Sequence, residues 1–203
     1  MRDKIMNKIM NFIKKYNPNH NEEQLEIIQY GLEAIYITIT KTIIVFIIAY
    51  LLGMLNQMII FLLFYIVIRL FAFGFHAKNS IQCLIVSTSI FFGATYLCML
   101  VKFPIYIKIL LCIINVLLIN KWAPADTEKR PIVSKKRRRV YKTLSTLIAI
   151  TFSLISIFIS NEFISNCLII SISVQCFMIS PYIYKLFGLP YDNYKNYLNY
   201  GLN

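Results

Sequence analysis

Charge is what this sequence has least of. Only 15% of its 203 residues are charged, against about 25% in an ordinary soluble domain. The charges sit in a few blocks, so long stretches carry none. With 58% of the residues hydrophobic, a single water-soluble core cannot enclose this much apolar sequence, and length favours one domain over residues 1–203. Acidic residues number 9 against 21 Lys and Arg, for a net charge of +12. Histidine is scarcer still, with His20 and His76 alone. One histidine beside one cysteine falls short of the three or four ligands a zinc site needs, so neither a metal nor another cofactor is expected. No cleavable signal peptide is expected in the first 20 residues: Arg2, Lys4, Lys8, Lys14 and Lys15 crowd them, with no long apolar run and no small-residue cleavage site.

What is there is apolar sequence in lengths that suit a bilayer. Six segments stand out, at about 34–54, 55–73, 81–101, 104–120, 143–160 and 163–188. A spanning helix takes about 20 mostly apolar residues. Backbone polar groups in lipid must be satisfied internally, which leaves helices or closed barrels. These segments are too long for barrel strands and do not alternate. The expected fold is therefore all-α, a polytopic integral membrane helical bundle with four to six membrane segments, six favoured. The first segment holds Lys41 and the fourth is short and holds Lys108. Each is expected to be tilted, partly re-entrant or packed inside the bundle.

Basic residues set the orientation. The N-terminal region 1–33 has five, the stretch 121–142 has nine, and the tail 189–203 follows Lys185 and contains Lys195. The loops on the opposite side hold almost none, only Lys102. Six spans put all three regions on one side, so both termini and the basic loop are expected in the cytoplasm of a multi-pass cell-membrane protein. The charge borders the membrane, so lipids rather than nucleic acid are the expected partner. At the start, Ile5, Ile9, Phe12, Ile13 and Tyr16 recur at helical spacing with lysines opposite, the pattern of an amphipathic helix lying on the anionic leaflet. After Pro18, Asn21 and Gln24 have the spacing of a capping box, so a second helix is expected to begin there and run into the first span.

Reactive chemistry concentrates at one junction. Cys98, Cys112, Cys167 and Cys176 lie within apolar runs, where free cysteine is usually a packing residue. Cys83 instead falls in the first turn of the third apolar segment, close to His76 and Lys78. A helix N-terminus and a nearby imidazolium both favour the thiolate. Seven residues along one helix would separate the pair by about 10.5 Å. His76 must therefore sit in non-helical chain that folds back, with Gly74 giving the backbone freedom. On spacing alone, a loop histidine near a buried cysteine stays the more economical reading.

The string RLFAFGFHAKNSIQC, with Arg69, Gly74, His76 and Cys83, resembles the signature of the accessory gene regulator B (AgrB) family. The segment WAPADTEKRPI, from Trp122 to Ile132, resembles that family's second motif, and the apolar layout is similar over essentially the whole chain. One departure is visible: many members have paired glycines before the histidine, and Phe73 stands here in place of the first. The resemblance implies a membrane cysteine endopeptidase that matures a quorum-sensing propeptide of the AgrD type, and a homodimer. Cys83 is then the nucleophile and His76 the general base, with Arg69 and Gly74 as supporting positions. A non-enzymatic peptide exporter or docking subunit is the alternative, and it has no need of Cys83.

Three further assignments stay open at this level. Asp126 either orients His76 or, with Thr127, caps and turns the loop between Pro124 and Pro131. Arg69 either reaches lipid phosphate or binds a substrate carboxylate. Lys135, Lys136, Arg137, Arg138 and Arg139 act as an orientation signal, as a substrate-binding cradle for an acidic propeptide tail, or as both.

Overall fold

The computed structural model describes residues 2–16, 21–74, 80–127 and 131–195. Among them the chain is helical and divides into two compact units, residues 1–53 and 54–203. The first unit holds α1 (Arg2–Tyr16) and α2 (Glu22–Leu51). α1 buries Met6 and Met10, one turn apart, and exposes Lys8 and Lys14. Phe12 and Tyr16 are also exposed, with ring centroids 4.5 Å apart, as an interfacial helix requires. The expected capping box begins α2: Asn21 Oδ1 accepts from Gln24 N at 2.8 Å, and Gln24 Oε1 accepts from Asn21 N at 3.2 Å. The 30 residues of α2 rise about 45 Å, more than the roughly 30 Å hydrocarbon core. Its end is set by Gly53, whose φ of 68° stops the helix in the left-handed region.

The second unit holds α3 (Leu55–Ala72), α4 (Ser80–Leu100), α5 (Ile105–Trp122), α6 (Lys135–Phe158), α7 (Glu162–Ile179) and the short α8 (Pro181–Leu186). Four described helices, α3, α5, α6 and α7, are long and apolar enough to cross a membrane. Their burial is unequal. In α7, 67% of the apolar stretch is buried, against 22–28% in the other three. α7 is the centre of the unit, packed against α3, α4, α5 and α6. The others turn Leu63, Leu70, Leu110, Leu117 and Leu154 outward. An apolar exterior around a partly polar interior is what a lipid-solvated bundle needs. The chain is thus a multi-pass helical membrane protein.

Small and polar side chains let these helices approach. α6 buries Ser145, Ala149, Ser153 and Ser156 on one face, and α5 buries Lys108, Cys112, Asn115 and Ile119. Cys112 Sγ lies 3.6 Å from Ser156 Oγ, and Asn115 Nδ2 donates to Ser173 Oγ of α7 at 2.8 Å. At one end of the unit, Lys108 Nζ donates to Glu162 Oε2 at 3.0 Å and to Ser165 Oγ at 2.9 Å. Ser165 Oγ in turn donates to Ser156 O at 2.7 Å. The short fourth segment forms α5, a helix long and apolar enough to cross a membrane, with its lysine turned toward α7 and paired. Nearby, Asn166 Nδ2 donates to Val101 O at 2.6 Å and to Cys98 O at 3.1 Å, tying α7 to the end of α4.

Two boundaries differ from the sequence reading. The apolar run 163–188 is not one helix. Ser180 ends α7 and caps α8, and Pro181 at the first position of α8 has no N–H to continue the ladder. The basic stretch 121–142 is helical at both ends: α5 extends to Trp122, and α6 begins at Lys135, with Ser134 Oγ accepting from Arg137 N at 3.4 Å.

Candidate active site

The two sequence motifs meet at the other end of this unit. α3 stops at Ala72, and the next residues form a parallel bridge with the segment after α5. Ala125 N donates to Ala72 O and Gly74 N donates to Ala125 O, both at 3.0 Å. Ala125 follows the cis Ala123–Pro124 peptide. Phe73, between the bridged groups, has φ 58° and ψ −136°. A Cβ-bearing residue rarely adopts that backbone, at a cost of about 1–3 kcal/mol. This is the position where glycine was expected and phenylalanine found, and the turn keeps a glycine-like conformation regardless. Two contacts hold it. The Phe73 ring meets Tyr141 of α6 edge-on at 5.0 Å, and its carbonyl accepts from Gln175 Nε2 of α7 at 2.7 Å.

Gly74 is required twice over. Its φ is 126°, and a Cβ there would overlap Nη1 of Arg69 and lie 3.2 Å from both Arg69 Cζ and Met178 O. Arg69 reaches this place from the last turn of α3 and shares a hydrogen bond with Tyr65, one turn earlier. Of the two sequence readings for Arg69, lipid phosphate and substrate carboxylate, this geometry shows neither. It shows the guanidinium folded against the turn that leads to His76.

Asp126 is 2% exposed. Its carboxylate accepts from Asn193 N at 3.0 Å, Tyr194 N at 2.9 Å and Ile132 N at 3.3 Å. Arg138 Nη1 stands 3.6 Å away. These are the partners of a loop organiser: they close the motif loop and dock the segment after α8 onto it. Tyr184 OH adds a hydrogen bond to Asp126 O at 3.0 Å. Tyr191 OH donates to Trp122 O at 3.5 Å. Burial first, and the nearby Asp192 second, push its phenol up to about 12, so it stays a neutral donor across the physiological range.

The five cations of 135–139 are not equivalent. Lys135, Lys136, Arg137 and Arg139 are exposed. Arg138 turns inward, its guanidinium 3.4 Å from the centroid of the Tyr194 ring and beside Asp126. A cationic first turn opposes the helix macrodipole, so the run is not explained by the stability of α6.

His76 lies outside the described residues. α4 begins at Ser80, which puts the Cys83 backbone in its first turn as expected. The Cys83 side chain is likewise outside what is described. Cys98, Cys112, Cys167 and Cys176 are buried and free, in keeping with packing roles. The sequence reading passed over Gln175 and Tyr184. An uncharged amide in the run Val174–Cys176 was the available signal, since polar groups at membrane depth carry a cost.

The sequence matches the accessory gene regulator B family over residues 6–179. It is 33% identical to a provisionally named AgrB-like protein of Clostridium acetobutylicum over 199 residues, 97% of this chain and 95% of that one. Provisionally named AgrB-like proteins of Listeria innocua and Lactiplantibacillus plantarum are 29% and 27% identical, covering 91% and 88% of each chain. No solved structure matches. With the family's two motifs joined in one bridge and the match spanning most of its length, the chain belongs to the accessory gene regulator B family.

Proposed function

We propose that this protein is a membrane-embedded cysteine endopeptidase that removes the C-terminal tail of an AgrD-type propeptide and leaves the rest as a cyclisable thioester. The observation that carries the reading is the backbone bridge between Phe73–Gly74 and Ala125. It holds the chain just ahead of His76 against the second motif, at the end of α3. The first turn of α4, with Cys83, begins six residues after Gly74.

In this reading the Cys83 thiolate attacks a propeptide carbonyl. The free N–H groups of the first turn of α4 stabilise the oxyanion. The C–N bond breaks as the His76 imidazolium gives its proton to the leaving amine. That leaves an acyl-enzyme thioester and a free tail. A cysteine of the propeptide then attacks the thioester, its proton passing to His76, and Cys83 leaves as thiolate. One thioester is exchanged for another, so ring closure is close to isoenergetic. Water must be excluded for the intermediate to persist, which a site at the membrane boundary favours. We place this site, the basic run and both termini in the cytoplasm, from the distribution of Lys and Arg.

The experiment is cleavage of the cognate propeptide by the full chain in liposomes, read by mass spectrometry. Cys83→Ala and Cys83→Ser abolish cleavage, His76→Ala nearly abolishes it, and Cys98→Ala and Cys167→Ala leave it intact. A hydroxylamine-sensitive adduct accumulates when the propeptide's own cysteine is replaced. Full cleavage by Cys83→Ala ends the cysteine-protease reading, and no cleavage by the wild-type chain favours a docking or export role.

A further inference from the structure

Gln175 stands where packing alone gives no reason for an amide. It lies about one turn from the end of α7, among apolar residues, and is fully buried. Its Nε2 donates to Phe73 O at 2.7 Å, while its Oε1 has no hydrogen-bond partner among the described residues. The assignment of the two amide atoms is forced, because a carbonyl only accepts. A buried amide with one arm unpaired among the described residues is an expensive filler for a site that an aliphatic side chain would fill freely. The carbonyl it holds is the one that needs holding. Phe73 has a positive φ that its Cβ disfavours. The N–H of Phe73 is taken by Arg69 O and that of Gly74 by Ala125 O. The Gln175 bond pairs the Phe73 carbonyl from a side chain on α7.

We propose that Gln175 is a positioning residue for the cysteine chemistry: from α7 it fixes the Phe73 carbonyl, and with it the turn that aims the chain toward His76. This rests on the catalytic reading given above. Without the donor, Phe73 relaxes to a negative φ. That rotates the peptide leading into Gly74 and changes the direction of the chain that leads on to His76. Glycine at position 73 adopts a positive φ without strain, so it removes the need for the restraint.

The test uses the full chain in liposomes and iodoacetamide as the probe. Alkylation of Cys83 is followed by mass spectrometry as a function of pH, beside circular dichroism to confirm helical content. A neighbouring imidazolium lowers the pH at which a thiol reacts, so His76→Ala marks the profile of an unassisted Cys83. Gln175→Met is expected to move the midpoint up by about one pH unit or more, to the His76→Ala position, with reaction near pH 7 slowed about tenfold. Gln175→Leu serves equally should Met not be accommodated. Adding Phe73→Gly to either is expected to bring the midpoint at least halfway back, a rescue that a role in packing does not produce. A folded Gln175→Met variant with the wild-type profile, or a double variant no better than the single one, overturns the proposal. Identical profiles for His76→Ala and the wild type overturn the catalytic pair itself, and the role of Gln175 with it.

Discussion

The guanidinium of Arg69 occupies the place where a side chain on Gly74 would begin. A Cβ at position 74 would overlap Nη1 and sit 3.2 Å from Cζ. Two residues of the first motif, five apart in sequence, are thus one steric unit. Neither has a free choice once the other is set.

Gly74→Ala is therefore expected to fail for two separable reasons. The backbone, at φ 126°, costs an alanine about 1–3 kcal/mol, and the overlap with Arg69 adds to that. Arg69→Ala removes the overlap and leaves the backbone strain. Thermal unfolding in detergent should show Gly74→Ala as the most damaged single variant. The pair Arg69→Ala and Gly74→Ala should be less damaged than the sum of the two, the non-additivity of residues in contact. Strict additivity would mean that Arg69 does not press on Gly74.

How much of this was legible in the sequence follows from the kind of interaction involved. The capping box of α2 depends on residues three apart, so spacing revealed it, and the start of α4 followed from where the apolar run begins. The packing cysteines and the outward leucines follow from hydropathy. The short helix α5 did not read clearly, because the partners of Lys108 lie 54 and 57 residues away on α7. The same distance hid Gln175, whose acceptor is 102 residues earlier. Phe73 marks another limit. The sequence showed a departure from glycine, but only the coordinates show that the backbone kept a glycine-like φ, held by groups from α6 and α7. For Asp126 the sequence left two readings with the loop-organising one ahead, and the three backbone N–H groups it accepts favour that one.

The ion pair between α5 and α7 is asymmetric, and its variants should be too. The Lys108 side chain is 8% exposed and that of Glu162 56%. Glu162→Ala leaves a buried cation with only the Ser165 hydroxyl, at a cost of about 1–3 kcal/mol. Lys108→Met removes the buried charge, fills similar volume and leaves Glu162 to solvent, a change that is often neutral or stabilising. The expected order of melting temperature in detergent is Lys108→Met at or above wild type, with Glu162→Ala several degrees below it. The reverse order would show that Lys108 is needed for its own sake, which packing does not explain.

Orientation can be read with single cysteines in an otherwise cysteine-free background. Val133 lies in the basic segment between α5 and α6, and Lys102 in the loop between α4 and α5. With six spans and cytoplasmic termini, Val133→Cys reacts with an impermeant maleimide only in inverted vesicles, and Lys102→Cys reacts in intact cells. Labelling of Val133→Cys from outside would reverse the topology and remove the proposed site from the cytoplasm.

The basic run at the start of α6 divides into two roles that a single substitution series can separate. Lys135, Lys136, Arg137 and Arg139 are exposed, and the helix dipole works against them. If they gather an acidic propeptide tail, each contributes roughly 0–1 kcal/mol, screened over a Debye length of about 8 Å at physiological salt. Neutralising Lys135, Lys136 and Arg137 to Gln should raise KM with little change in kcat, and high salt should erase the difference. Arg138 is expected to behave otherwise, because it sits beside Asp126 and over the Tyr194 ring. Arg138→Gln loosens the docked segment after α8. Its effect should appear as a lower melting temperature and faster proteolysis near residue 195, with little response to salt. Lys121, Arg139 and Lys142 remain in the triple variant to hold the orientation, which the maleimide assay checks in parallel. A triple variant with correct insertion and an unchanged KM at low salt reduces the run to an orientation signal. A salt-sensitive KM defect in Arg138→Gln would place that residue with the substrate instead.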